Sequence, residues 1–329
     1  MQYQQKFIDI IKSIAPSNLS LAHELSQELG VSIDSAYRRL RCETPITLEE
    51  AVKICYRFDV PLESLNSGIP EVVTCHYHLM YKNEDSLQTY LDELHKQVTT
   101  ISKDKQAAIH YAAEDIPVFY HFAYPELLRF KLFYWRKSIL NHASLLQMCF
   151  EDFDIDEQIA KRCQEIYEAY QKTASSEIWT EQTVMSTIQQ IRFYWDAGFF
   201  RDKTSATQLC QSLRSMFSEI KAQADVGMKR SSHSFNGVSY ALYQSDLMIG
   251  NNGVVVEFSN RKAVFLGYLS FNFIRSENKD FGEQNKIWMD HLKAKSTLIS
   301  AVSEKQRNMF FKGLNRHIET LQDYIMQDA

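Results

Sequence analysis

Leu21, Leu25 and Leu29 recur every fourth residue, the stripe of one helix face, and Gly30 ends the run where a helix needs a residue of positive φ to stop. Ser32 is then placed to cap a second helix, which carries Ile33, Ala36, Tyr37 and Leu40 on one side. Its opposite side shows Asp34, Ser35, Arg38, Arg39 and Arg41. Upstream, Phe7, Ile8, Ile11 and Ile14 outline a first helix. Downstream, Thr47 and Glu50 have capping-box spacing ahead of a helix with Leu48, Ala51, Val52, Cys55 and Phe58 inward. Residues 58–65 read as a turn into a short closing helix. The pattern predicts five short helices in a bundle over residues 1–68.

Gly68 and Pro70 mark a break, and residues 69–83 form a linker or bridging strand, with β-prone positions at 71–81. A helical period returns over 84–230. Leu87, Tyr90, Leu91, Leu94 and Val98 make one stripe, and Ile159, Cys163, Ile166, Tyr167 and Tyr170 make another. The pattern predicts an all-helical central region. Residues 117–135 are dense in aromatic side chains and suit either a pocket or a core. The period then changes to alternation. Val238–Tyr243, Val254–Phe258 and Ala263–Phe273, separated by Asn251-Asn252-Gly253 and Asn260-Arg261-Lys262, predict a three-stranded antiparallel meander. Two helices, about 280–299 and 303–326, complete an α+β module over 231–329, suited to sensing or dimerisation. Phe311, Leu314, Ile318, Leu321 and Ile325 form a seam that suits a short coiled coil or packing onto the meander. The fold class expected is mainly α, with a helical bundle, a helical centre and an α+β end.

The first helix pair has the form of a helix-turn-helix. Leu25-Ser26-Gln27-Glu28-Leu29-Gly30-Val31-Ser32, the helix 33–41 and the Phe58-to-Leu65 segment resemble the Xre, or phage-repressor-like, family over about one fifth of the chain. Cys42 stands where that family commonly has glycine. The resemblance implies sequence-specific binding of double-stranded DNA, usually by a dimer, with helix 33–41 in the major groove. The candidate DNA-binding residues are Ser32, Asp34, Ser35, Tyr37, Arg38, Arg39 and Arg41.

Charge qualifies that expectation. Residues 1–68 hold seven Lys/Arg against nine Asp/Glu, and the whole chain is at −5. Phosphate contacts supply most non-specific affinity, so a single head binds DNA weakly and gains from pairing. A homodimer is expected, with a small-molecule or peptide effector for the larger part. The alternative is an adaptor whose N-terminal bundle docks a protein partner. The six cysteines lack CxxC spacing, and neither a leader nor an apolar run of membrane-spanning length is seen, which suits a soluble cytoplasmic protein. Cys75 and His76 point to opposite faces of a strand and no fourth ligand stands at a characteristic distance, so Cys75, His76 and His78 suit a structural role better than a metal site. Asp152, Asp154 and Asp156 lack the glycine and glutamate of a calcium loop. Phosphate-binding, dinucleotide-binding, hydrolase-elbow and zinc-protease motifs are missing, so neither catalysis nor a cofactor is expected.

Overall fold

The computed structural model describes residues 2–15, 20–58, 60, 62, 73–78, 86–231, 234–268 and 270–327. They fall into two compact units, Met1–Thr74 and Cys75–Ala329.

The first unit contains α1 (Gln2–Ile14), α2 (Leu21–Leu29), α3 (Ile33–Leu40) and α4 (Leu48–Phe58). The expected closing helix at 58–65 lies almost wholly outside the described residues, as do residues 69–72 and 79–83 of the expected linker or bridging strand. Phe7, Ile11, Leu25, Ala36, Ala51 and Ile54 form the core. Gly30 has φ +66, its N–H returning to Gln27 O. Val31 N–H bonds Ser26 O, and the Ser26 hydroxyl donates to Val31 O at 2.7 Å. Ser26 therefore fixes the turn. Two faces differ from expectation. Ile33 and Tyr37 are half exposed and Ala36 alone of α3 is fully buried, while Leu48 and Val52 face outward and Ile54 takes the core position. A 3.6-residue period places 48 and 52 about 120° and 160° from 54, enough to move them off the buried stripe.

The second unit contains α5 (Ser86–Lys103), β1 (Ala108–Ala113), α6 (Val118–His121), α7 (Pro125–Tyr134), α8 (Glu157–Gln171), β2 (Ala174–Trp179), α9 (Met185–Asp196) and α10 (Lys203–Val226). It continues with β3 (Met228–Ser231), β4 (Ser234–Gln244), β5 (Gly253–Glu257), β6 (Lys262–Tyr268), β7 (Asn272–Ser276), α11 (Lys279–Ala294), β8 (Thr297–Leu298) and α12 (Glu304–Gln327). The strands make one mixed sheet in the order β3-β4-β2-β1-β5-β6-β7, with β8 on β4. β4, β2 and β1 run parallel; β5, β6 and β7 are antiparallel.

This sheet corrects the expected fold class. The centre is not all-helical, because β1 and β2 lie within residues 84–230, and the final strands are not a separate three-stranded meander. β4 and β5 are not a hairpin across Asn251-Asn252-Gly253; β1 and β2 stand between them. The predicted strand 263–273 is two strands, broken near Ser270, which has φ +71. Interior parallel strands depend on burial on both faces rather than on β-propensity, which is how Ala- and Ser-rich segments come to pair here.

Instead of closing a hairpin, the Asn252 side-chain oxygen accepts the N–H groups of Glu114 and Asp115 at 2.9 and 3.1 Å. The Asn251 amide donates to Gly267 O at 2.7 Å, and a Cβ at Gly267 would lie 2.4 Å from Asn251 Oδ1, so any larger residue there would displace the Asn251 side chain. Leu314, Ile318 and Ile325 of the α12 seam are wholly buried, with α12 packed along α10 and α9. The seam is thus used inside the unit. Phe130 and Phe133 are wholly buried and Trp135 nearly so, so most of the aromatic segment is core. His76 pairs in antiparallel fashion with Arg275 of β7, giving the 71–81 segment one β-bridge.

Candidate functional site

Helix α3 begins at Ser32, whose hydroxyl accepts the Ser35 N–H at 3.2 Å. Ser32, Asp34, Tyr37, Arg38 and Arg41 are exposed. Asp34 and Arg38 form an i,i+4 pair at 3.2 Å, and Arg41 meets Glu43 at 2.9 Å. Each outward arginine therefore has an acidic neighbour.

Arg39 points elsewhere. Its Nε and Nη2 donate to the two carboxylate oxygens of Glu50 at 3.0 and 2.7 Å, and Nη1 donates to Ser35 Oγ at 2.6 Å. The side chains of Arg39 and Glu50 are only 12% and 18% exposed. The arginine's hydrogen bonds hold the Glu50 carboxyl below its ordinary range, against the opposing effect of burial. Glu50 also accepts the Thr47 N–H while its own N–H bonds Thr47 Oγ1, completing the expected capping box. Arg39 and Ser35 thus join the bracing of α3 to α4, and the outward set reduces to Ser32, Asp34, Tyr37, Arg38 and Arg41. Gln4 went unnoticed in the sequence: its side chain donates to Arg39 O and Thr44 O and accepts from Ile46 N–H, clamping the loop after α3. No spacing rule signals such a long-range clamp. Cys42, in that loop, has φ +60, the conformation for which glycine is the usual residue.

No family model, curated protein or solved structure matches the chain.

In the second unit, a cleft of about 1010 Å³ opens beyond the carboxyl ends of the three parallel strands. Glu114 follows β1, Thr180 and Gln182 follow β2, and Asp246 to Ile249 follow β4. One face of α9 supplies Met185, Ser186, Gln189 and Phe193. The other wall is Tyr134, Lys137, Ser138 and Asn141, on and around a π-helical turn at Trp135–Ile139. Clefts at this end of parallel strands are common ligand sites in α/β sheets. Burial and neighbouring Asp115 raise the Glu114 carboxyl above its ordinary range.

Two polar clusters lie elsewhere in this unit. His110 sits between Ser176 and Glu257 on adjacent strands, with Ser176 Oγ 2.7 Å from Nδ1 and Glu257 Oε2 2.6 Å from Nε2. The Lys293 ammonium, which can only donate, is 2.8 Å from the same Nδ1. Nδ1 is therefore the acceptor and Nε2 carries the proton. This arrangement has the parts of a Ser–His–carboxylate relay, yet Lys293 competes for the basic nitrogen and Ser176 is only 8% exposed. Glu257 also meets Lys286, which pairs with Asp290, so the group is a charge-balanced tie between the sheet and α11. In the second cluster, the fully buried Glu177 accepts from Tyr120, Tyr170 and the Trp179 indole, with Ser175 and Tyr240 at longer range. Buried Lys229 donates to Tyr170 O at 3.0 Å and lies 3.3 Å from the Tyr170 ring centroid.

Other candidates resolve as structural. His121 is buried and held neutral, its pKa well below the ordinary value because of burial. Asp156 caps α8 and Asp152 pairs with Arg201. Among the described residues no group of three His, Cys, Asp or Glu could hold a metal, and no helix is long and apolar enough to cross a membrane.

Proposed function

We propose that the chain is a DNA-binding transcription regulator, in which α3 enters the major groove of double-stranded DNA and the second unit pairs two copies and receives a signal. The observation that carries this reading is the braced α2–α3 turn: Gly30 at φ +66 and the Ser32 cap present an exposed face bearing Ser32, Asp34, Tyr37, Arg38 and Arg41. The outward arginines have carboxylate neighbours, so affinity depends on base contacts and on pairing of heads more than on a positive field. No catalytic step is part of the proposal.

Selection of bound sequences from random duplex DNA with the full chain tests it. Arg38→Ala and Arg41→Ala should each weaken binding to the selected site at fixed salt by roughly 1–3 kcal/mol if the arginine reads a guanine. Arg39→Ala should instead lower the stability of α3, detected by faster hydrogen exchange there. Selection that yields no enriched sequence refutes DNA reading. Light scattering showing a monomer at micromolar concentration refutes pairing.

One observation favours a second reading, an adaptor that docks a protein. Leu48, Val52 and Tyr56 form an exposed stripe on α4, with Tyr56 86% exposed. That reading predicts no DNA footprint, together with loss of partner binding in Tyr56→Ala.

A further inference from the structure

We propose that the cleft at the strand ends binds a neutral saccharide. Its volume, about 1010 Å³, lies at the upper end of small-molecule sites and suits an oligosaccharide better than a single small metabolite.

Anions are disfavoured by what surrounds the cleft. Among the described residues its one lining cation is Lys137, and that ammonium already donates to the carbonyls of Leu145, Leu146 and Met148 while lying 3.7 Å from the Phe199 ring centroid. All three protons are used. Glu114 and Asp246 further repel negative charge. An apolar ligand is disfavoured as well, because more than half of the lining residues are polar.

The fit is to hydroxyl groups. The side-chain amides of Asn141, Gln182 and Gln189 are exposed at the cleft and, among the described residues, have no protein hydrogen bond, so they are open to a ligand, whereas half-buried Gln190 is held by Lys131 and Ser186. A primary amide offers both donors and an acceptor, and a carboxylate offers two acceptors side by side. These are the complements of vicinal hydroxyls, each of which donates and accepts. Phe193, 57% exposed, and the partly buried Tyr134 line the cleft with aromatic rings, a surface that suits the C–H face of a pyranose. The wall bearing Asn141 is itself irregular: Asn141 has φ +52 and follows the π-helical turn, a departure from regular helix that is frequent at functional positions.

The test is a thermal-shift and calorimetric screen of the full chain against neutral mono-, di- and trisaccharides of hexoses, pentoses and N-acetylhexosamines, with glucose 6-phosphate and spermidine as charged controls. At least one neutral saccharide should raise Tm. Gln189→Leu and Phe193→Ala, both exposed on α9, should each weaken its Kd roughly five- to tenfold, the effect of one lost neutral contact. Circular dichroism verifies folding, and Gln182→Leu, in the turn after β2, serves if an α9 variant fails to fold. The proposal is overturned if no neutral saccharide shifts Tm, if folded variants bind unchanged, or if only a charged control binds. The screen is independent of DNA selection, so either proposal can fail alone.

Discussion

Lys229 offers the most quantitative test of the second unit's interior. Its ammonium is fully buried, and burial depresses its pKa from 10.5 to about 7, against the favourable attraction of Glu177. Between pH 7 and pH 10.5 the unfolded chain therefore holds a proton that the folded chain has released. Stability rises with pH wherever the unfolded state binds more protons, so this lysine makes the fold less stable at neutral pH than at alkaline pH. A shift of three and a half units corresponds to about 5 kcal/mol over the whole window, of which about 2 kcal/mol is recovered between pH 7 and pH 9. Lys229→Met keeps a chain of similar length against the Tyr170 ring and removes the ionisation. The assay is urea unfolding at pH 7, 8 and 9, followed by tryptophan fluorescence. All four tryptophans, at 135, 179, 195 and 288, lie in the second unit, so the signal reports that unit alone. Wild type should gain about 2 kcal/mol more than the variant between pH 7 and pH 9. Parallel pH profiles for the two proteins would refute the reasoning, whatever their absolute stabilities, because the lysine would then have kept its proton in the fold.

Two further substitutions test packing and backbone. Cys42→Gly should stabilise the first unit by about 1 kcal/mol by relieving the left-handed conformation at φ +60, offset in part by the contact of its thiol with Gln5. Slower exchange of α3 amides is the readout, and faster exchange would show that the thiol contact outweighs the strain. Leu314→Ala, at a fully buried position of α12, should cost about 2–5 kcal/mol in urea unfolding; a loss under about 1 kcal/mol would mean that α12 does not pack along α10 as described.

The first unit was the more legible part of the sequence because its determinants are local. Gly30, Ser32 and the Thr47–Glu50 box act over three or four residues, and each does what its spacing predicted. The pairing of Arg39 was not legible because its partner, Glu50, lies eleven residues away on another helix, beyond any helical period. In the second unit, the α12 stripe was visible as a 3,4 spacing. β1 and β2 were not, since Ala-Ile-His-Tyr-Ala-Ala and Ala-Ser-Ser-Glu-Ile-Trp show neither clean alternation nor β-branched enrichment. They are strands because each other, β4 and β5 flank them. The strand-end cleft escaped notice for the same reason: without the parallel strands, Glu114, Gln182 and Asp246 share no element and no spacing.

The placement of β1 also dictates a timetable for synthesis. Its parallel partner spans Ala174–Trp179 and its antiparallel partner Gly253–Glu257, so a growing ribosomal chain carries a one-sided strand through some eighty further residues. Over that interval β1 presents bare backbone donors and acceptors, the kind of edge on which unfinished proteins associate. The N-terminal helices need no such wait, since their core is complete in sequence by Val60. Nascent chains stalled before residue 253 should thus display a finished head on an unfinished sheet. Aggregation on overexpression should begin at the open side of β1, where β5 has yet to arrive.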